Sequence, residues 1–135
     1  MRLRTLTAAV LTAGLAGCGT TSPDLFAVDR AGSIPGARLR MVVNDGGTAR
    51  CDGRRAVALT DKELLDAREL QRDLESPAKQ ALRLRAQPGS VLRYRVTTPD
   101  GTIAFADDSR GRPAVLDRLA LFVRQVAIGR CRLAR

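Results

Sequence analysis

The sequence predicts an α+β domain: an antiparallel sheet of about five or six strands with two helices packed on one face. Three observations carry this. Residues 38–59 alternate apolar and polar side chains around glycine-rich turns. A capping box at Thr60 then opens a helical pattern. A second hairpin pattern over 91–106 leads into an apolar stripe of helical spacing that follows Pro113.

The elements follow in order. Residues 25–30 (LFAVDR) suit a short strand, followed by a loop through Gly32, Pro35 and Gly36. In residues 38–43 (RLRMVV), Leu39, Met41 and Val43 share one face, while Arg38, Arg40 and Val42 share the other. Asn44-Asp45-Gly46-Gly47 tolerates positive φ and predicts a hairpin whose return strand is 48–51. Asp52-Gly53 turns the chain again and residues 54–59 read as extended, giving a meander of three or four strands.

The first helix has the clearest start. The Thr60 hydroxyl can accept from the Glu63 amide while the Glu63 carboxylate reaches back, and Leu59 and Leu64 occupy the staple positions. Leu64, Ala67, Leu70, Leu74 and Ala78 recur at spacings of three or four. Pro77 is expected to break or restart the helix, with Ser76 as a new cap. The acids on the opposite face read as solvated helix surface, not as a catalytic carboxylate pair.

Gln87-Pro88-Gly89-Ser90 is a loop. Residues 91–97 (VLRYRVT) direct Leu92, Tyr94 and Val96 inward and Arg93 and Arg95 outward. Thr98-Pro99-Asp100-Gly101 is a hairpin turn, since proline presets φ and glycine accepts the left-handed position. Residues 102–106 return with Ile103 and Phe105 on one face. Asp107 and Asp108 lack EF-hand spacing and are expected to cap or flank the last helix, so no metal site is expected. Pro113 suits that helix's first turn. Leu116, Leu119, Ala120, Val123, Val126 and Ala127 form its buried face, and Gly129 ends it.

Composition narrows the chemistry. The 135 residues contain no histidine and no tryptophan. Ser-His-Asp and Cys-His catalysis and His-ligated zinc are therefore closed, and no enzymatic activity or cofactor is expected. The formal charge is +9, and lysine occurs only at 62 and 79, so the basic character is almost wholly arginine. A GC-rich genome accounts for such a bias by itself, but the charge is also unevenly spread. Residues 76–98 carry Lys79, Arg83, Arg85, Arg93 and Arg95 with no acid, whereas 61–75 carry six acids against three bases. From Arg110 onward Asp117 is the only acid against seven arginines. One side of the domain could approach an anionic lipid, a wall polymer or an acidic protein. Nucleic acid is not expected, because aromatic side chains for stacking are nearly absent.

The N-terminus carries a specific signal. Arg2 and Arg4 precede an apolar stretch over 6–16, too short for the roughly 20 residues of a membrane-spanning helix. Leu15-Ala16-Gly17-Cys18 closely resembles the bacterial lipobox. The resemblance implies a lipoprotein signal peptide over 1–17, a diacylated Cys18, a tether over 18–24 and a single domain over 25–135. The alternative is an ordinary secretory leader that happens to carry a cysteine. Two acyl chains hold a protein stably at a membrane where one does not. Export implies an oxidising compartment, in which the remaining pair, Cys51 and Cys131, reads most simply as one disulfide. Inert thiols or a redox site are the alternatives, although redox motifs usually space their cysteines two apart.

Beyond the lipobox the chain resembles small lipoproteins of GC-rich Gram-positive bacteria. It is also similar to the emfourin-like family, whose founding type inhibits thermolysin-like metalloproteases. That likeness rests on residues 28–34 (VDRAGSI), Tyr94-Arg95-Val96, Asp100-Gly101, residues 103–108 (IAFADD) and the helix after Pro113. The sequence departs from the family at Ala31-Gly32, where a Gly-Gly is usual. It also departs in its lipid anchor, its cysteine pair and the turn over 44–53.

These readings combine into a lipid-anchored module on the extracytoplasmic face of the cell membrane, binding an envelope or secreted protein. A protease is the sharpest version of that partner. The alternative is an arginine-rich module for anionic lipid or cell-wall polymer. Arg93, Arg95, Arg118 and Arg124 are the candidate partner-binding residues, Cys18 the lipidation site, and Cys51 and Cys131 the disulfide.

Overall fold

The computed structural model describes residue 19 and residues 21–133. The leader over 1–17 and the lipidation candidate Cys18 lie outside the described residues. The chain runs β1 (Asp24–Gly32), β2 (Leu39–Asn44), β3 (Thr48–Cys51), β4 (Val57–Ala58), α1 (Asp61–Lys79), β5 (Leu92–Thr98), β6 (Gly101–Ala106) and α2 (Ala114–Gly129). This is the expected α+β fold. The strands form one six-stranded sheet in the order β4-β3-β2-β1-β5-β6, with every neighbour antiparallel.

The first four strands are a meander, so β1 starts as an edge. The helix α1 then carries the chain across the sheet and delivers β5 to the free side of β1, leaving the first strand central. Strand alternation gives the sheet one apolar face. Val28, Met41, Val43, Val96 and Ile103 lie fully buried there beneath Leu74 of α1 and Leu116, Leu119, Val123 and Val126 of α2. Leu25 and Phe26 are both buried because the β1–β2 register shifts between Asp24 and Phe26. A stacked Tyr94–Phe105 pair, centroids 4.8 Å apart, closes one end of this core.

The helix α1 starts as expected. Thr60 Oγ1 accepts from the Glu63 amide, and Glu63 Oε2 accepts from the Thr60 amide at 2.8 Å. Pro77 does not break it: the helix runs on to Lys79. Proline's missing N–H costs only the bond to the Asp73 carbonyl, and buried Leu74 and Ala78 on either side hold the last turn to the sheet. The break comes at Ala81, which adopts φ 50°. Its amide bonds to Ala78 O, and the Leu82 amide bonds to Pro77 O, a Schellman ending without the usual glycine. Gly101 allows the tight approach of this helix end, since a Cβ there would fall 2.4 Å from Ala78 O.

Local details add to or differ from the expected elements. Only Val57–Ala58 of the 54–59 stretch pairs, as a two-residue edge strand. Residues 82–84 lie against β6, bonding on both sides of Ala104. The acids Asp107 and Asp108 do not serve α2. Asp107 accepts from Ser90 Oγ and the Val91 amide, and Asp108 from the Gln87 amide, fastening the 87–91 loop to the end of β6. Pro113 stands as the N-cap of α2 with no side-chain cap.

The disulfide Cys51–Cys131 is present and joins the end of β3 to the segment after α2. It spans 80 residues, for which the chain-entropy account gives about 4.5 kcal/mol. Arg54 reinforces it by donating to the Cys131 carbonyl at 3.0 Å.

Candidate interaction surface

Both helices cover the same side of the sheet, so the other side is open. Its occupants follow from the strand registers. Asp29 of β1 stands opposite Arg40 of β2 on one side and Arg95 of β5 on the other, and Arg95 stands opposite Ala104 of β6. The next row along contains Ala31, Arg93 and Ala106, and continuing the β1–β2 register by one residue brings Arg38 opposite Ala31. In the other direction Ala27 stands between Val42 and Thr97, with Arg50 opposite Val42.

The result is a shallow concavity of about 1290 Å³ with an alanine floor and arginine walls. Ala31, Ala104 and Ala106 keep the floor low. Arg38, Arg40, Arg93 and Arg95 rise around it, with Asp29 and Asp52 as the acids of its lining. Arg40 Nη1 donates to both oxygens of Asp29 at 2.8 Å, and Asp52 Oδ1 accepts from the Arg40 amide. Among the described residues, the side chains of Arg38, Arg50, Arg93 and Arg95 form no ion pair. This face therefore holds a cationic surplus.

The four candidate arginines separate into two groups. Arg93 and Arg95 lie side by side on the open face, joined by Arg38 and Arg40. Arg118 and Arg124 belong to α2, in the layer on the opposite side of the sheet. Arg118 does not simply face water: it bridges Glu69 and Asp73 of α1, which raises its pKa through those hydrogen bonds. Arg130, just after α2, is partly buried and paired with Glu63 at 2.8 Å. Burial opposes ionisation of Glu63, but hydrogen bonds from Thr60 and Arg130 outweigh it and lower its pKa. Arg124 is exposed with no ion pair among the described residues.

Arg38 and Arg40 were visible in the alternation of 38–43, opposite the apolar set. Their membership in one surface with Arg93 and Arg95 depends on β1 lying between β2 and β5, which no local pattern specifies. Among the described residues no cluster of histidine, cysteine or carboxylate groups could hold a metal ion, and no helix is long and apolar enough to cross a membrane. The arrangement suits binding through charge and shape. Comparison with protein families, with curated proteins and with solved structures finds no match.

Proposed function

We propose that the chain is a lipid-anchored, extracytoplasmic interaction module that binds an envelope or secreted protein on the open face of its sheet. The observation that carries this reading is the concavity itself: unpaired arginines around an alanine floor, with Asp29 and Asp52 set among them. Mixed charge over small apolar side chains matches a folded or extended polypeptide. A uniform polyanion would meet the two carboxylates as repulsion. Anchoring at Cys18 also agrees with the direction of β1. Pro23 and Ser22 are tied to the β2–β3 turn through Asp45 and Asn44. Ala31 lies eight residues beyond Pro23 along the chain, roughly 26 Å away at strand rise. The arginine concavity thus belongs to the end of the sheet remote from the tether, where a partner is more accessible than the anchoring lipid.

A metalloprotease partner is the sharp form of this proposal and rests on the emfourin-like resemblance alone. The second reading, a module for anionic lipid or wall polymer, is favoured by the surplus of unpaired arginine. Salt separates them, because exposed charges are screened within about 8 Å at physiological ionic strength. Residues 21–135, disulfide intact, would be used to capture partners from native envelope extract at low and moderate salt. A single protein retained at moderate salt and lost on Arg93→Glu/Arg95→Glu supports the interaction module. Capture of acidic polymer or lipid alone, fading as salt rises, replaces it with the second reading. For the anchor, mass spectrometry of the membrane fraction should find a lipidated Cys18, and Cys18→Ser should release the protein; an unmodified, unreleased chain rejects lipidation.

A further inference from the structure

Two adjacent rows on the open face repeat one arrangement with a single difference. In the first, Asp29 sits between Arg40 and Arg95, and its carboxylate is held by Arg40 at 2.8 Å through both oxygens. In the second, Ala31 stands opposite Arg93, and Arg38, one residue beyond the last β1–β2 pair, lines the same concavity. Residues two apart on a strand share a face, so the second row copies the first with the acid removed. Strands two apart in a sheet lie about 9.6 Å from each other. Long arginine side chains from both can therefore converge over the alanine between them.

We propose that this notch over Ala31 is the seat for a carboxylate side chain of the partner protein, an aspartate or glutamate of an acidic segment. This rests on the reading of the open face as a protein-binding surface and names what that surface recognises. Arg38 and Arg93 are the arms of the seat, and Arg95, whose neighbour Asp29 is already taken by Arg40, stands beside it. A guanidinium holds a carboxylate by charge-assisted hydrogen bonds, and in the occupied row Arg40 Nη1 does so with both oxygens of Asp29. A single carboxylate fits between the standing charges of Asp29 and Asp52 better than a phosphate chain, which must lay repeated charge across both. The floor contributes selectivity too: alanine leaves room for the methylenes of the incoming side chain without a polar group to desolvate. Position 31 is thus a specificity-determining site. A side-chain carboxylate supplied from within the chain there should occupy the seat and exclude the partner.

The experiment uses residues 21–135, which contain every described strand and helix, observed by ¹⁵N–¹H correlation at backbone amides and arginine Nε–Hε groups. The probe is an acetylated, amidated tetraglutamate peptide, with tetraglutamine and tripolyphosphate alongside. Saturable shifts at the Ala31 amide and at the Arg38 and Arg93 Nε–Hε groups, produced by tetraglutamate and not by tetraglutamine, are expected. Ala31→Asp should weaken that binding at least tenfold, and Ala31→Ser should leave it within about twofold. Ala31 is exposed, so both variants should fold; if Ala31→Asp does not, Arg93→Gln should lower the affinity at least fivefold instead. Shifts spread equally over Arg124 and Arg50, binding of tripolyphosphate without tetraglutamate, or an Ala31→Asp protein that binds unchanged would each overturn the seat. The envelope capture distinguishes this from failure of the parent reading. A protein retained equally by wild type and Ala31→Asp at moderate salt leaves the interaction module standing and removes the seat alone.

Discussion

The two sides of the sheet use arginine in opposite ways. On the covered side, Arg118 and Arg130 of the α2 region are taken up by Glu69, Asp73 and Glu63 of α1, so their charge ties one helix to the other. On the open side, Arg38, Arg93 and Arg95 stand around a concavity whose ion pair among the described residues is Arg40 with Asp29. The residue type is the same and its availability is not. An arginine already facing a carboxylate in its own chain contributes to architecture, whereas one facing solvent beside its own kind is available to another molecule. Basic composition alone therefore says little about binding; the position of the fourteen acids decides which cations remain free.

The contrast can be broken from the covered side first. Replacing Cys51 and Cys131 with serine should cost about 4.5 kcal/mol, read as a fall in urea midpoint, because the unfolded chain is then free of an 80-residue closed loop. A midpoint shift under about 1 kcal/mol would mean that Arg54 and packing hold the tail without the bridge. Leu74→Ala removes a fully buried side chain between α1 and the sheet and should cost roughly 2–5 kcal/mol. Thr60→Ala deletes the hydroxyl that accepts from the Glu63 amide and should cost about 1 kcal/mol, with the loss visible in thermal melts.

Acid sharpens the same comparison. The folded-state pKa of Glu63 is lowered, so its stabilisation is present above the ordinary glutamate range near pH ~4.3 and is lost as pH falls through the lower folded value. Glu63→Gln should therefore flatten the acid limb of a stability profile below pH ~4.5, and an unchanged limb would remove the Arg130 pair from the account. Alkali acts on the other end of the covered face. Burial raises the Tyr94 pKa, so stability should decline above pH ~10 as the unfolded phenol ionises first, an effect absent in Tyr94→Phe. The smallest change in stability belongs to the open face. Arg93→Glu/Arg95→Glu should move the urea midpoint by no more than about 0.5 kcal/mol while abolishing partner capture. A large stability loss there would show these arginines to be architectural like Arg118.

Much of this division was legible locally. The period-two patterns of 38–43 and 91–97 assigned Leu39, Met41, Tyr94 and Val96 to one face and the four arginines to the other, because side-chain direction alternates wherever a strand forms. The capping box at Thr60 placed the start of α1 to the residue, since that hydrogen-bond pattern is contained in four positions. The C-terminus of the same helix is not legible locally, because whether Pro77 breaks it depends on Leu74 and Ala78 being held by a sheet distant in sequence. The roles of Asp107 and Asp108 are hidden for the same reason: their donors lie in a loop some twenty residues earlier.

The sequence by itself determined the fold class, the main turns and the apolar face, because each is encoded in local periodicity or in local backbone preference. Tertiary structure decided which arginines belong together. Only the insertion of β1 between β2 and β5 brings Arg38 and Arg40 beside Arg93 and Arg95, and only the packing of α2 on α1 consumes Arg118. Charge acts through space, over distances of several ångströms that the order of residues along a chain does not record.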